Sequence, residues 1–457
     1  MKKVKSLFLV LILLFSLAGC YDADEPNDIV YVMALGVDRG TRAGEYTFTI
    51  QFARPTQISG GASEEGGTGG EEAFGIITVN APTIYSGMNL ANHVVSKRFT
   101  LAHMKLIVFS EEVAKQGVLD MADTIARSSD IRPNIYLCVA KGEAKAYLEG
   151  IHPVVEVNPE KYYQLIFENE YSGYVPKNLS QDFYFYMTSK EKNSVLPLAA
   201  VEEGTEKEGE KEGGQESKGA GEETGSGGSG GSSGGQAESN GAGEEEIVRD
   251  IEINEQGFEY RVKEYIAGNM DVEKQNKSEV MGLAVFDGDK MIGELNAIES
   301  ELFSIASGQF KYSFTNFYSQ DSPDNPTSLR LEQSRKPRCR VDVSGDHPKI
   351  ALKVFLVGDF VSISPYIFLE NDIQNYEQEI TGYVQEALEK FLEATAQDLE
   401  SDIVGFGSYA KRSFWTHQQF EAYNWLERYK DAEFHVEVRL KLRGTGLILR
   451  NEERIGE

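Results

Sequence analysis

Apolar residues recur along this chain at two periods, and the switches between them mark its elements. Ile29–Val37 is a near-continuous apolar run that reads as a strand, and Asp38-Arg39-Gly40 follows it with turn chemistry. Tyr46, Phe48, Ile50 and Phe52 then alternate with Thr47, Thr49 and Gln51. A period of two built from β-branched and aromatic side chains predicts a strand, expected to pair antiparallel with the first. Ile84, Met88, Ala91 and Val95 recur at helical spacing, and Lys105–Phe109 reads as a short buried strand. Ser110 followed by Glu111-Glu112 is an N-cap with acids at the positive end of a helix. That helical face continues beyond Gly117 through Val118, Met121 and Ile125; Pro133 ends it, and Ile135–Ala140 is a further strand. The β–α–β order predicts a mixed α/β layer.

Residues 150–200 read as loop-rich and aromatic, with Tyr162, Tyr163, Phe167, Phe183 and Phe185 among them, either core or a partner-binding patch. Gly282–Phe286 and Met291–Leu295 flank Asp287-Gly288-Asp289-Lys290, a hairpin signal. Phe310, Tyr312 and Phe314 alternate as a strand, and Ile350–Val357 is another. Ile373, Tyr376, Ile380, Val384, Leu388, Phe391 and Thr395 form one apolar stripe, predicting a single long helix. Phe434, Val436, Val438 and Leu440 alternate with His435, Glu437 and Arg439 as a half-buried strand. The expected fold is α+β and multi-domain, with two or three domains, mixed or antiparallel sheets and flanking helices.

Composition breaks this pattern in two places. Residues 202–246 hold 13 Glu, three Lys and 15 Gly, with no aromatic, Val, Ile or Leu. Such a tract cannot bury enough apolar surface to offset chain entropy and is expected to be disordered. Ser59–Ala73 is a shorter insert of the same kind. The expected organisation is an N-terminal α/β region over 20–199, a disordered linker over 202–246, a connecting segment over 247–279 and a C-terminal α+β domain over 280–457.

The first residues bear on the compartment. Lys2, Lys3 and Lys5 precede Ser6–Ala18, thirteen residues without charge. A cationic stretch followed by an apolar one is the layout of a secretory signal, and it falls short of the about 20 residues a membrane span needs. Leu17-Ala18-Gly19-Cys20 then looks like a bacterial lipobox, in which the Cys20 thiol is lipidated and cleavage after residue 19 leaves it at the new terminus. Two acyl chains suffice for stable anchoring where one is marginal. An ordinary cleaved signal with a chance cysteine is the plainer reading. The expectation is an exported body tethered to a membrane surface.

Charge removes one class of function. With 73 acidic and 45 basic residues the net charge is −28, opposite to that of a nucleic-acid binder. Three Cys and six His are too few for a disulfide scaffold or zinc cluster. A Cys138–Cys339 pairing is left open. Gly225–Gly230 matches a dinucleotide fingerprint by accident of a Gly/Ser tract, with no strand before it and no helix after. Asp287-Gly288-Asp289 lacks the remaining ligands of a calcium loop. His93, His103, His152, His347, His417 and His435 share no ligand spacing. Trp415 and Trp425 flank a segment that is either packed or a docking surface. No catalytic, cofactor or metal residue is nominated.

Three blocks together resemble one family, the C-subunit lipoproteins of spore germinant receptors. The first is Gly19-Cys20-Tyr21-Asp22 with Leu35-Gly36-Val37-Asp38. The second runs Arg98-Phe99-Thr100-Leu101-Ala102-His103-Met104-Lys105-Leu106-Ile107 through Glu111–Gly117 to Arg127 and Arg132-Pro133-Asn134. The third joins Gly282–Phe286, Ile292-Gly293-Glu294-Leu295 and Glu299 to Ser401-Asp402-Ile403-Val404-Gly405-Phe406-Gly407 and Trp415. Tyr21 stands where the family often has Trp, and both Gly/Glu-rich inserts are unusual. The resemblance implies three α+β domains and a non-enzymatic subunit without cofactor. It also implies a place on the outer face of the spore's inner membrane, beside two polytopic membrane subunits. Two other classes compete: a lipid-anchored solute-binding protein of a transporter, and a surface hydrolase.

Overall fold

The alternating runs assemble into two sheets in a computed structural model. It describes residues 28–53, 74–95, 97–153, 156, 159–168, 173–201, 258–259, 265–270, 272, 276–319, 322–362 and 369–443. The leader at 1–19, Cys20, the inserts at 59–73 and 202–246, and much of 247–279 lie outside these residues. No helix among the described residues is long and apolar enough to cross a membrane.

The chain opens with β1 (Ile29–Arg39), β2 (Tyr46–Ala53) and β3 (Phe74–Ala81), which pair antiparallel in sequence order. Helix α1 (Ile84–Asn92) follows, its first turn closed by a reciprocal capping box between Thr83 and Ser86. Then come β4 (Arg98–Thr100), β5 (Leu106–Ser110), α2 (Glu111–Gln116), α3 (Leu119–Arg127) and β6 (Tyr136–Ala140). Ser110 caps α2 as its position predicts, accepting from the Val113 N–H at 3.3 Å. The helical face does not run unbroken into α3. Gly117 takes φ +127°, a backbone that other residues rarely adopt, and separates two helices.

The aromatic stretch is more regular than the sequence implies. It forms α4 (Ala144–Glu149), α5 (Pro159–Phe167), α6 (Ser180–Met187) and β7 (Val195–Val201). Tyr163, Phe167 and Phe183 are fully buried, while Phe185 stands 60% exposed. Among the described residues the first sheet then gains β9 (Ser278–Asp287) and β10 (Lys290–Leu295), the two-residue turn Gly288-Asp289 between them. Its order is β10-β9-β7-β6-β5-β1-β2-β3, with β4 beside β1. The middle strands β7, β6, β5 and β1 are parallel and the flanks antiparallel, a mixed sheet.

This arrangement explains the unbroken apolar runs of β5 and β6. A parallel strand in the middle of a sheet is covered on both faces. Ile107, Phe109, Leu137 and Val139 enter one core with α1, α2 and α3. Leu106, Val108, Tyr136 and Cys138 enter the other with α4 and α5.

The second sheet holds β8 (Phe258–Glu259), β11 (Tyr312–Ser319), β12 (Ser322–Gln333), β13 (Arg338–Asp342), β14 (Lys349–Ser362) and β15 (Glu433–Leu442). It is antiparallel except for the β14–β15 pair. Between β10 and β11 lies α7 (Ala297–Ser307), capped reciprocally by Asn296 and Glu299 at 2.9 Å each way. The long helix α8 (Leu369–Gln397) packs Ile380, Val384, Leu388, Phe391 and Leu392 onto the sheet. Short helices α9 (Gly407–Ala410), α10 (His417–Tyr423) and α11 (Trp425–Tyr429) complete the layer. The α+β class with mixed sheets and flanking helices is what the chain adopts.

Candidate functional site

Two of the motif blocks meet the structure through buried carboxylates. Asp38, next to last in β1, points at the start of α4, where Glu143 supplies no side-chain cap. Its Oδ1 accepts the Ala144 N–H at 2.7 Å and its Oδ2 the Lys145 N–H at 3.0 Å. A residue more than a hundred positions away thus satisfies the orphan donors of a helix N-terminus. Burial raises its pKa, and the two backbone bonds oppose that shift.

Asp402 is the more enclosed of the two, with no exposed surface. Oδ1 accepts from Gly405 N at 2.7 Å and Phe406 N at 3.1 Å; Oδ2 accepts from Gly407 N at 2.8 Å and Trp425 Nε1 at 2.9 Å. Four donors converging on one carboxylate explain why the block reads Asp-x-x-Gly-x-Gly. The chain must double back tightly, and a Cβ on Gly407 would fall on the Glu191 carbonyl oxygen and 2.6 Å from Trp425 Cδ1. Burial raises the Asp402 pKa against the pull of these bonds.

The Asp402 loop faces residues 189–195, which lead into β7. Asn193 N donates to the Asp402 carbonyl at 2.9 Å, Lys411 pairs with Glu191, and Lys190 lies 3.5 Å from Glu421. From the same segment Asn193 Nδ2 reaches Asp287 Oδ1 at 3.1 Å, and Ser194 O accepts from Phe286 N at 2.9 Å. The segment therefore ties the layer of the second sheet to the edge of the first. Within the first sheet's own layer the hairpin turn is held too, Asp289 O accepting from Val118 N at 3.0 Å at the break between α2 and α3.

Other titratable groups are dispersed. Among the described residues no three His, Cys, Asp or Glu side chains come together as metal ligands. Both described cysteines are free and enter different cores, which answers the pairing left open above. Burial pushes the Cys138 thiol up, and that of Cys339 up to about 12. His103 is exposed and meets Tyr31 edge-on, ring centres 5.0 Å apart. Glu301 on α7 is buried beside Ser313, whose hydroxyl donates to it at 2.5 Å, and burial pushes its carboxyl up to about 7. Sequence reasoning missed Glu301, because an isolated acid beyond the capping Glu299 leaves no periodic trace in an otherwise apolar helix. The two tryptophans part company: Trp425 is 1% exposed and Trp415, on the loop before α10, is 96% exposed. Cys20, the lipidation residue the sequence nominates, lies outside the described residues.

Comparisons with known proteins agree with the motif blocks. The family described as "Spore germination protein N-terminal domain" matches residues 22–201, and that described as "Spore germination B3/ GerAC like, C-terminal" matches residues 281–446. Spore germination protein KC of Bacillus subtilis is 28% identical over 198 residues, 42% of this chain and 48% of the relative. The putative spore germination protein YfkR of the same organism is 26% identical over 147 residues, 32% of this chain and 38% of the relative. The chain thus spans about half or less of the curated relatives it matches. The crystal structure of the GerBC protein aligns over 89% of this chain and 96% of that chain, at 11% identity and a TM-score of 0.47. With its N-terminal and C-terminal domains matched in order, this chain belongs to the GerAC-like family of spore germination proteins.

Proposed function

We propose that this chain is the lipid-anchored C subunit of a nutrient germinant receptor. In this reading it is a non-enzymatic scaffold or recognition module on the outer face of the spore's inner membrane, assembled with two polytopic membrane subunits. The observation that carries the reading is the coincidence of family membership with Leu17-Ala18-Gly19-Cys20 behind a cationic and then apolar leader. Lipid on Cys20 would hold the body within reach of its partners and raise their effective concentration without a large interface. A structural role for Asp38 and Asp402 fits this, since both spend their oxygens on backbone and indole N–H groups.

The test is a spore strain carrying Cys20→Ala, read by membrane fractionation, mass spectrometry of the mature N-terminus and nutrient-triggered germination. The expected result is loss of the acylated terminus, release from membranes and impaired germination. A variant that stays membrane-bound and germinates normally would overturn the anchoring role.

A further inference from the structure

Four cations fall within six residues of a chain whose net charge is −28: Arg335, Lys336, Arg338 and Arg340. All four are exposed. Arg338 and Arg340 project from the outer face of β13, and the register sets Arg338 opposite Lys353 and Arg340 opposite Ala351 on β14. On the other side of β14, His435 lies beside Ala351 and Glu437 beside Lys353. Like charges directly opposite in a sheet are destabilising, so this face concentrates positive charge against its own interest.

Counter-ions relieve it only in part, Asp342 acting on Arg340 from two residues along β13. Lys349 pairs with Glu433 at 2.9 Å, while Lys353 and Arg439 share Glu437 at 2.5 and 2.8 Å. Among the described residues, none of Arg335, Lys336, Arg338 and Arg340 has a carboxylate at ion-pairing distance. The Arg335 guanidinium instead lies 3.6 Å from the centre of the Phe355 ring, which fixes it at the surface. The small side chain of Ala351 leaves a shallow depression of about 250 Å³ among Arg338, Arg340, Lys353, His435 and Glu437.

We propose that this outer sheet face docks the body onto the phosphate headgroups of an anionic bilayer. Arg338 and Arg340 on β13 and Lys353 on β14 come from adjacent strands of one sheet, with Arg335 and Lys336 on the loop just before β13, so the cations share one surface that a planar lattice of headgroups can meet. Guanidinium forks match phosphate oxygens two at a time, and clusters of four or more cations are what bind anionic lipid surfaces. The negative charge of the remaining chain is repelled by the same surface, so docking also selects orientation. The inference rests on the body working at a membrane, but it requires no acyl chain.

The test uses the full chain carrying Cys20→Ala, sedimented with vesicles of phosphatidylcholine alone or mixed with phosphatidylglycerol. The expected result is pelleting with the mixed vesicles only, loss at high salt, and binding at least about tenfold weaker in Arg338→Glu/Arg340→Glu. Lys336→Glu, which lies off the strand, should give a smaller loss of the same sign, and both variants should keep the parental melting temperature. Equal binding to both vesicle types, no binding to either, or indifference to these substitutions would overturn the proposal. So would complete release by millimolar inorganic phosphate at constant ionic strength, which would make this a free-anion site. Membrane retention of the acylated protein in spores alongside failed vesicle binding would sink this inference and leave the anchoring role standing.

Discussion

The indole N–H of Trp425 donates to Asp402 Oδ2 at 2.9 Å, in a site where neither side chain is open to solvent. This bond closes a carboxylate already held by three backbone N–H groups. Removing the acceptor strands four buried donors, each of which costs about 1–3 kcal/mol when left unmade. Asp402→Ala is therefore expected to lose at least about 3 kcal/mol in urea unfolding, and Trp425→Phe about 1.5–3 kcal/mol. A loss under about 1 kcal/mol for Asp402→Ala would mean that water replaces the carboxylate freely.

Gly407 sits where the loop crosses residues 189–195, and any Cβ there meets backbone rather than a yielding side-chain tip. Gly407→Ala should destabilise by about 2 kcal/mol or more. It should also speed hydrogen exchange of the Asn193 amide, which bonds across the same contact. Unchanged exchange at Asn193 would show that the strain is absorbed elsewhere.

Glu301 predicts an unusual pH response. Burial pushes its carboxyl up to about 7, whereas an unfolded glutamate titrates near 4.3. The native state thus keeps a proton that the unfolded state releases. The contribution of this residue is intact below about pH 4 and falls as pH rises toward and through 7, by about 4 kcal/mol in all. Glu301→Gln should flatten the stability curve between pH 5 and 8 and raise the melting temperature at pH 8. Calorimetry of both proteins at the two pH values decides it; identical slopes would refute the assignment.

The two tryptophans should separate in fluorescence. Trp415 is 96% exposed and Trp425 1%, so iodide should quench one emission component and spare the other. Trp415→Phe should leave a nearly unquenchable signal and change stability by less than about 0.5 kcal/mol. Efficient quenching in that variant would place Trp425 in contact with solvent.

Burial raises both described thiols, so at pH 8 each is protonated. In a Cys20→Ala chain neither Cys138 nor Cys339 should react quickly with a disulfide reagent until denaturant is added. Fast labelling of Cys339 in the native protein would contradict this.

Legibility in the sequence followed the kind of burial each element has. β15, covered on one face, alternates visibly; β2 alternates although both its faces are buried, because Thr49 and Gln51 make its second face polar; and α8 shows its stripe because its other side meets water. β7 escaped notice for two reasons. It is buried on both faces and carries Pro197, a residue that argues against a central strand. The structure accommodates Pro197 at a register irregularity against β9. Helix α7 is buried nearly all round, so Ala297–Ser307 has no polar face to set its period. At the candidate site, the resemblance drew attention to Asp38, Asp402 and Gly407. It did not reveal their partners, because Ala144, Trp425 and Glu191 are brought to them only by tertiary folding.

The hairpin of β9 and β10 has a consequence for anyone dividing this protein. Its register along β7 joins residues 195–201 to 278–285, so a fragment begun at residue 280 would strip the larger sheet of its last rungs and present a raw hydrogen-bonding margin of its own. Conversely, a nick anywhere between residues 202 and 257 should leave the two pieces clasped, to be parted by denaturant and not by dilution.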